Sequence, residues 1–258
     1  MQEIGEALPL VSVITPVLNG ARFLSDNLQS VRNQDYPHLE HIVVDGGSSD
    51  GTLDLLRTAP GIFWSSAQDQ GMYDAINRGF RQARGEVVAY QNADDRYASS
   101  QAVSTAVRHL LGQPGLDLVY GGFRYVDEQG RPLGLPVRPP EFDLASLRRY
   151  NFVPPHSTFV RRRVLAEDRL WLDPELRFAG DWDWFLRLAA AGKRFGRVDA
   201  VISDFRRHRG SKTSSIGWGP RLSEWRRICR RSGASFPVLL LYESVLMPLR
   251  RRWAGTYS

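Results

Sequence analysis

Glu86-Val87-Val88-Ala89-Tyr90-Gln91-Asn92-Ala93-Asp94-Asp95 is the stretch on which the fold turns. Val87 to Tyr90 reads as an interior strand of a parallel sheet, where both faces are covered and the apolar run is continuous. Ligands bind such sheets just beyond the carboxyl ends of the strands, so Asp94 and Asp95 fall in the binding crevice. Side by side, two carboxylates repel unless a proton or a cation relieves them. A hard divalent ion that also meets diphosphate oxygens is the common relief. The plainer alternative is a turn that caps a helix starting at Ser99.

The surrounding chain fits the same sheet. Leu10 to Ile14 is a first strand, Pro16 and Asn19-Gly20 form a loop, and Phe23, Leu24, Leu28 and Val31 give Ala21 to Arg32 a helical period. His41 to Asp45 is a second strand, Gly46 to Ser49 a turn, and Asp50-Gly51-Thr52 the start of a helix. A short strand near Ile62 to Trp64 and a helix from Gly71 to Ala83 complete the alternation, which implies βαβ crossovers and helices on both faces of the sheet. After a helix at Ser99 to Leu111 the pattern changes. Leu116 to Val126 and Pro132 to Val137, joined by Asp127 to Gly130, predict an antiparallel hairpin. A proline-rich loop leads to a helix beginning near Gly180, a strand at Val198 to Phe205, and helix from Pro220 to the end.

Composition narrows the classes. With 258 residues and 42% hydrophobic content the chain can bury a full core. Cys229 is the only cysteine, so no internal disulfide forms, and a reducing, cytoplasmic setting is expected. The first residues show no basic region followed by an apolar core, so no signal peptide or N-terminal anchor is expected. From Arg206 onward there are 12 Lys and Arg against 2 acids, a basic end suited to an anionic partner: a phosphate-bearing substrate, a membrane surface or nucleic acid.

Asp45 closes the second strand and shares the crevice, where a carboxylate can accept hydrogen bonds from a nucleobase imide or a ribose hydroxyl; the alternative is a turn former before two glycines. Neither G-x-G-x-x-G after the first strand nor G-x-x-x-x-G-K-[ST] occurs, which argues against a dehydrogenase and a P-loop phosphotransferase.

Val11-Ser12-Val13-Ile14-Thr15-Pro16-Val17-Leu18-Asn19, Val43-Val44-Asp45-Gly46-Gly47-Ser48-Ser49-Asp50-Gly51-Thr52 and Asn92-Ala93-Asp94-Asp95 resemble, in order and spacing, the signatures of family 2 glycosyltransferases. Asp69-Gln70-Gly71-Met72-Tyr73-Asp74-Ala75-Ile76-Asn77-Arg78-Gly79 resembles the subgroup that builds bacterial exopolysaccharide and O-antigen units. The resemblance implies an α/β GT-A fold over 1–215, with a nucleotide-binding half at about 9–98 and an acceptor-binding half at about 99–215. The remainder, 216–258, is expected to be a basic helical extension. It also implies inverting transfer from a nucleotide-diphosphate sugar, a UDP-sugar first, assisted by Mg²⁺ or Mn²⁺. Thr15, Pro16, Val17, Asn19, Asp45, Asp69, Asn92, Ala93 and Asp94 would seat the donor. Asn92 replaces the aspartate often found first in the metal motif, so the metal would rest on Asp94, Asp95 and His208, with Asp95 the direct ligand.

Inverting transfer needs a base to take the acceptor hydroxyl's proton. In Gly180-Asp181-Trp182-Asp183-Trp184, Asp181 matches the family's catalytic aspartate, although Gly180 stands where a glutamate commonly precedes it. A helix N-terminus keeps such an aspartate ionised, and a plain capping aspartate looks the same; Asp183 is the next candidate. His208, in a run of arginines, suits phosphate or metal, or is part of a solvated basic loop. His156, Trp182 and Asp183 are candidates for the acceptor side, with Trp182 and Trp184 as a sugar platform or as core.

A sugar nucleotidyltransferase would need an early Gly-rich, Arg/Lys-bearing loop, for which Asn19-Gly20-Ala21-Arg22 is a poor substitute. The basic end lacks a nucleic-acid reading motif. Phe236 to Leu249 is apolar, flanked by arginines and too short to span a bilayer. Although Glu243 and two prolines interrupt it, it suits peripheral attachment to an anionic inner membrane face near a glycan or lipid-linked acceptor, or packing on protein, including a homodimer partner.

Overall fold

A computed structural model of the chain describes residues 8–167, 170–210 and 218–236. Its strands are β1 (Val11–Val17), β2 (Leu39–Asp45), β3 (Ile62–Ser66), β4 (Val87–Tyr90), β5 (Arg96–Tyr97), β6 (Leu118–Val126), β7 (Thr158–Arg161) and β8 (Phe195–Arg206). Its helices are α1 (Leu24–Arg32), α2 (Thr52–Thr58), α3 (Met72–Gln82), α4 (Ala102–Leu111), α5 (Leu144–Leu147), α6 (Gly180–Ala190) and α7 (Trp218–Ser232). The strands form one mixed sheet in the order β3-β2-β1-β4-β7-β6-β8-β5. β3, β2, β1 and β4 are mutually parallel. β7 runs antiparallel between β4 and β6, β8 lies parallel to β6, and β5 is antiparallel at the edge.

The two faces of the sheet follow from the period-2 alternation of each strand. Val11, Val13, Val87 and Ala89 point to one side, where Val103, Val107 and Leu110 of α4 cover them. Ile14, Val88 and Tyr90 point to the other, into a core with Tyr73, Ile76 and Phe80 of α3 and Trp182 and Phe185 of α6. Helix α7 joins that same core through Trp225, Ile228 and Cys229, which share one face at helical spacing. It packs against α6 in this shared core.

Three sequence expectations differ from the structure. The second arm of the hairpin is not a strand: Pro132 to Val137 meets β6 only at the isolated bridges Phe123–Val137 and Val126–Pro132. Pro132 and Pro136 have no N–H to give a ladder, and Gly134 has a positive φ. The segment read as a proline-rich loop holds β7, four residues placed between β4 and β6. Helix α7 is followed by Gly233 in the left-handed region, a helix-stopping conformation. The apolar tail expected to meet a membrane lies outside the described residues beyond Phe236. Among the described residues, no helix is long and apolar enough to cross a membrane.

Two buried histidines predict an acid-labile fold. His41 Nε2 sits 2.9 Å from Thr15 Oγ1, and burial lowers the His41 pKa to about 3. His156 is packed between Phe123 and Phe205, and burial lowers its pKa to about 4. Both folded values lie below the unfolded one, so the unfolded chain binds more protons and stability falls as pH drops below about 6.5. Between pH 7 and 5 each histidine costs roughly 2 kcal/mol, before most carboxylates titrate. Urea unfolding across that range checks this, and the pH slope should shrink in His41→Gln; a flat wild-type profile would refute it.

Candidate active site

The β1–α1 and β2–α2 loops are clasped side by side at the carboxyl end of the sheet. Asn19, in the left-handed region, takes a hydrogen bond from Ser49 N on its Oδ1 (2.9 Å) and donates its own N–H to Ser48 Oγ (2.7 Å). Gly20 N donates to Thr52 Oγ1 (3.0 Å) and Ala21 N to Asp50 Oδ2 (3.1 Å). The residues of the two motifs thus hold each other, leaving Pro16 to Gly20 as one wall of a cleft of about 710 Å³. Asp69, Tyr73, Tyr90, Asn92, Ala93, Asp94, Arg177, Asp181 and His208 also line it.

The metal-motif wall is built by strand pairing. β5 follows the two aspartates directly, and its ladder to β8 sets Arg96 against Asp204 and Tyr97 against Ser203, which carries Arg206 and His208 to the end of β4. Arg206 N donates to Asp95 Oδ1 (2.9 Å), and its buried guanidinium donates to Asp94 O (3.0 Å), Glu128 O (2.6 Å) and Asp26 (2.6 Å). His208 Nε2 lies 3.0 Å from Asp94 Oδ2 and its ring packs on Phe23. Asp95 is buried, with Asn92 Nδ2 donating to its second oxygen (2.9 Å). Burial and the neighbouring Asp94 push the Asp95 pKa well above the usual carboxylate value.

A carboxylate oxygen facing a cleft suits a hard divalent ion such as Mg²⁺ or Mn²⁺, and an imidazole nitrogen beside it favours the transition metal Mn²⁺ of the two. Asp94 and His208 are that pair, whereas both Asp95 oxygens are taken by protein donors. Among the described residues no cluster of three or more His, Cys, Asp or Glu could hold a metal ion. Two protein donors are still enough for an ion that keeps waters and meets substrate phosphates. Beside them, Asn92 Oδ1 and Tyr90 Oη are buried without a hydrogen-bond partner, and such orphaned groups call for a ligand or a water.

On another wall, Asp181 sits in the first turn of α6. Tyr73 Oη lies 3.3 Å from its Oδ1, and Asn151 Nδ2 donates to its Oδ2 (3.2 Å). Burial, and then the charge of Asp181, push the Tyr73 pKa well above that of a free phenol, so the hydroxyl stays a donor. The same tyrosine accounts for Gly180. A Cβ on that residue would come within 2.5 Å of the Tyr73 ring, so no side chain fits where the family commonly has glutamate.

Of the residues singled out in the sequence, Pro16, Val17, Asn19, Asp69, Asn92, Ala93, Asp94, Asp181 and His208 meet in the cleft. Six do not. Thr15 lies beneath the loop, bonded to Asn27 and His41. The Asp45 carboxylate is saturated by Gly47 N, Ser48 N, Ser48 Oγ and Ser66 Oγ. Burial works against its charge, but these bonds hold its pKa below the usual value. Asp95 faces inward as described. His156 is buried, with Nδ1 3.3 Å from Ser203 Oγ. Trp182 is core, its Nε1 donating to Leu147 O, as Trp184 donates to Leu170 O, so neither forms a sugar platform. Asp183 points away from the cleft, paired with Arg187 (2.7 Å). Tyr73, Tyr90, Asn151 and Arg177 were not singled out from the sequence; tyrosine at an interior strand or helix face reads as core, and only the orphaned Tyr90 hydroxyl marks a site.

The family model for Glycosyl transferase family 2 matches residues 12–169. An uncharacterized glycosyltransferase of Mycobacterium tuberculosis is 33% identical over 186 residues, covering 70% of this chain and 69% of that protein. A PGL/p-HBAD biosynthesis glycosyltransferase of Mycobacterium bovis is 36% identical over 120 residues, 45% of this chain and 47% of that protein. Among solved structures, S. aureus TarS 1-349 in complex with UDP-GlcNAc superimposes with a TM-score of 0.71 at 22% identity, over 85% of this chain and 65% of that one. The mannosyltransferase PcManGT of Pyrobaculum calidifontis, in complex with GDP-Man and Mn²⁺, gives 0.63 at 22% identity, over 96% and 72%. The likeness to these structures is one of fold, the mixed GT-A sheet with its flanking helices.

Proposed function

The chain belongs to glycosyltransferase family 2, and from that membership we propose that it moves a sugar, with inversion, from a nucleoside-diphosphate donor to a hydroxyl of a glycan or lipid-linked acceptor. A role in cell-surface glycan synthesis at an anionic membrane face is part of the proposal. The observation that carries it is the convergence of Asp94 with His208 and of Asp181 on walls of one cleft.

Asp69 gives one oxygen to Gly71 N (2.8 Å), and its other oxygen has no hydrogen-bond partner among the described residues. In this reading that oxygen, rather than the saturated Asp45, accepts from the nucleoside, and Asn92 Oδ1 accepts from a donor hydroxyl. A divalent ion held by Asp94 and His208 supplies neutralising charge for the departing diphosphate. The acceptor oxygen bonds to the anomeric carbon as the bond from that carbon to the diphosphate breaks, and Asp181 takes the acceptor's proton. Asn151, which donates to one carboxylate oxygen, and Tyr73, whose hydroxyl proton is shared between Phe178 O (2.9 Å) and the other oxygen (3.3 Å), hold Asp181 for that transfer. UDP-sugars are the first candidates as donor, since a fold neighbour binds UDP-GlcNAc; another binds GDP-Man.

Calorimetry of UDP, GDP and their sugar conjugates, with and without Mn²⁺, tests the reading. One nucleotide class should bind, and far more tightly with the metal. Absence of binding by every one of them under both conditions would refute the donor assignment.

A further inference from the structure

Helix α7 lies beyond the 12–169 span that the family model matches, yet it reaches residues 177–179, the loop that leads into α6. Glu224 Oε1 accepts from Arg177 N (2.5 Å), and Oε2 accepts from Phe178 N (2.9 Å) and Ala179 N (2.9 Å). Three successive backbone N–H groups converging on one anion form the kind of concavity that elsewhere binds phosphate. Here the chain supplies its own carboxylate. The next donor, Gly180 N, goes to Tyr73 Oη (3.1 Å), and Asp181 follows at once.

The three N–H groups belong to the loop residues that lead up to and include the N-cap, Ala179, where no helical or strand ladder takes them, so their acceptor has to come from another element. Charge-assisted bonds from a carboxylate are about twice as strong as neutral ones, and the positive end of a helix favours the negative charge. Glu224 is itself anchored. Trp225, Ile228 and Cys229 are buried against α6, and Arg227 and Arg231 bind Asp173, at 3.3 and 2.8 Å.

We propose that Glu224 is a positioning residue for Asp181, so that α7 completes the catalytic centre instead of merely extending the chain; this rests on the reading of Asp181 as the base. Glu224 does not itself line the cleft, and it holds the backbone that runs straight into Asp181, so its loss displaces the base more than it displaces the donor.

The test is turnover of whichever nucleotide sugar calorimetry identifies, read as release of the nucleoside diphosphate and expressed per donor-binding site. Glu224→Gln should lower kcat by about 10- to 100-fold, the usual cost of misplacing a reacting group by an ångström, with donor Kd and KM within about twofold. Glu224→Asp, which keeps the charge but shortens the reach, should show the same split and serves if the glutamine variant is poorly folded. The double variant with Asp181→Asn should be no slower than Asp181→Asn alone, because Glu224 acts only through that residue. An unchanged kcat per site in both Glu224 variants, a change confined to thermal stability, or losses that multiply in the double variant would each overturn the inference while leaving the base assignment intact. If Asp181→Asn alone retains turnover, the base reading itself fails.

Discussion

Replacing Asp181 by asparagine should lower turnover by about 10² to 10⁴ while donor affinity stays within a few-fold of wild type. The amide cannot take a proton, yet it has the same shape. Its carbonyl can still accept from Tyr73 or Asn151, which lie 3.3 and 3.2 Å from the two carboxylate oxygens. The fold therefore survives, and the loss reports chemistry. Asp183, one residue beyond Trp182, is the internal control: it is buried and bonded to Arg187, so Asp183→Asn should affect stability more than kcat. Turnover within a few-fold of wild type in Asp181→Asn would reduce that residue to a helix cap. Steady-state kinetics at saturating donor, with donor Kd measured separately, distinguishes the two.

Much of this centre is legible in the sequence, and the limits have physical reasons. The end of β4 could be read because a buried parallel strand must surface at its ligand, so Val87 to Tyr90 announces Asp94. Asp181 could be singled out because Gly180 to Trp184 resembles a family motif, whereas its place at a helix start reads equally as a cap. Asp45 and Thr15 belong to the same motifs, but their polar atoms are consumed in building the loops, and residue type does not tell a ligand contact from a turn bond. Trp182 and Trp184 illustrate the same point for aromatics: their indole N–H groups reach Leu147 O and Leu170 O, which makes core of what could equally have been a platform. β7 was hidden because a four-residue strand behind Pro154-Pro155 is fixed by its place between β4 and β6 rather than by local pattern. Glu224 was the least legible. An isolated acid in an arginine-rich helix looks like surface, and its partners lie 45 to 47 residues earlier.

The companion result concerns the two adjacent aspartates, which the structure treats unequally. Asp94→Ala should abolish metal-dependent donor binding, weakening it on the order of 10²-fold or more, since loss of even an outer-shell partner costs 10- to 100-fold in metal affinity. It would leave His208 Nε2 as the one protein donor of the pair, now without the carboxylate 3.0 Å away. The sequence alone favours Asp95 as the direct ligand. In the structure, however, Asp95 is buried and accepts from Arg206 N and Asn92 Nδ2, each at 2.9 Å. Asp95→Asn would set an amide N–H₂ against one of those donors. That costs about 1–3 kcal/mol of stability for an unsatisfied buried group, and donor affinity falls less than in Asp94→Ala. Excess chelator should bring wild type down to the level of Asp94→Ala and leave that variant unchanged, because both lose the same ion. Wild-type donor binding indifferent to chelator would remove the metal from the mechanism. The reverse order of severity, with Asp94→Ala tolerated and Asp95→Asn fatal to binding in a folded protein, would return the direct ligand to Asp95.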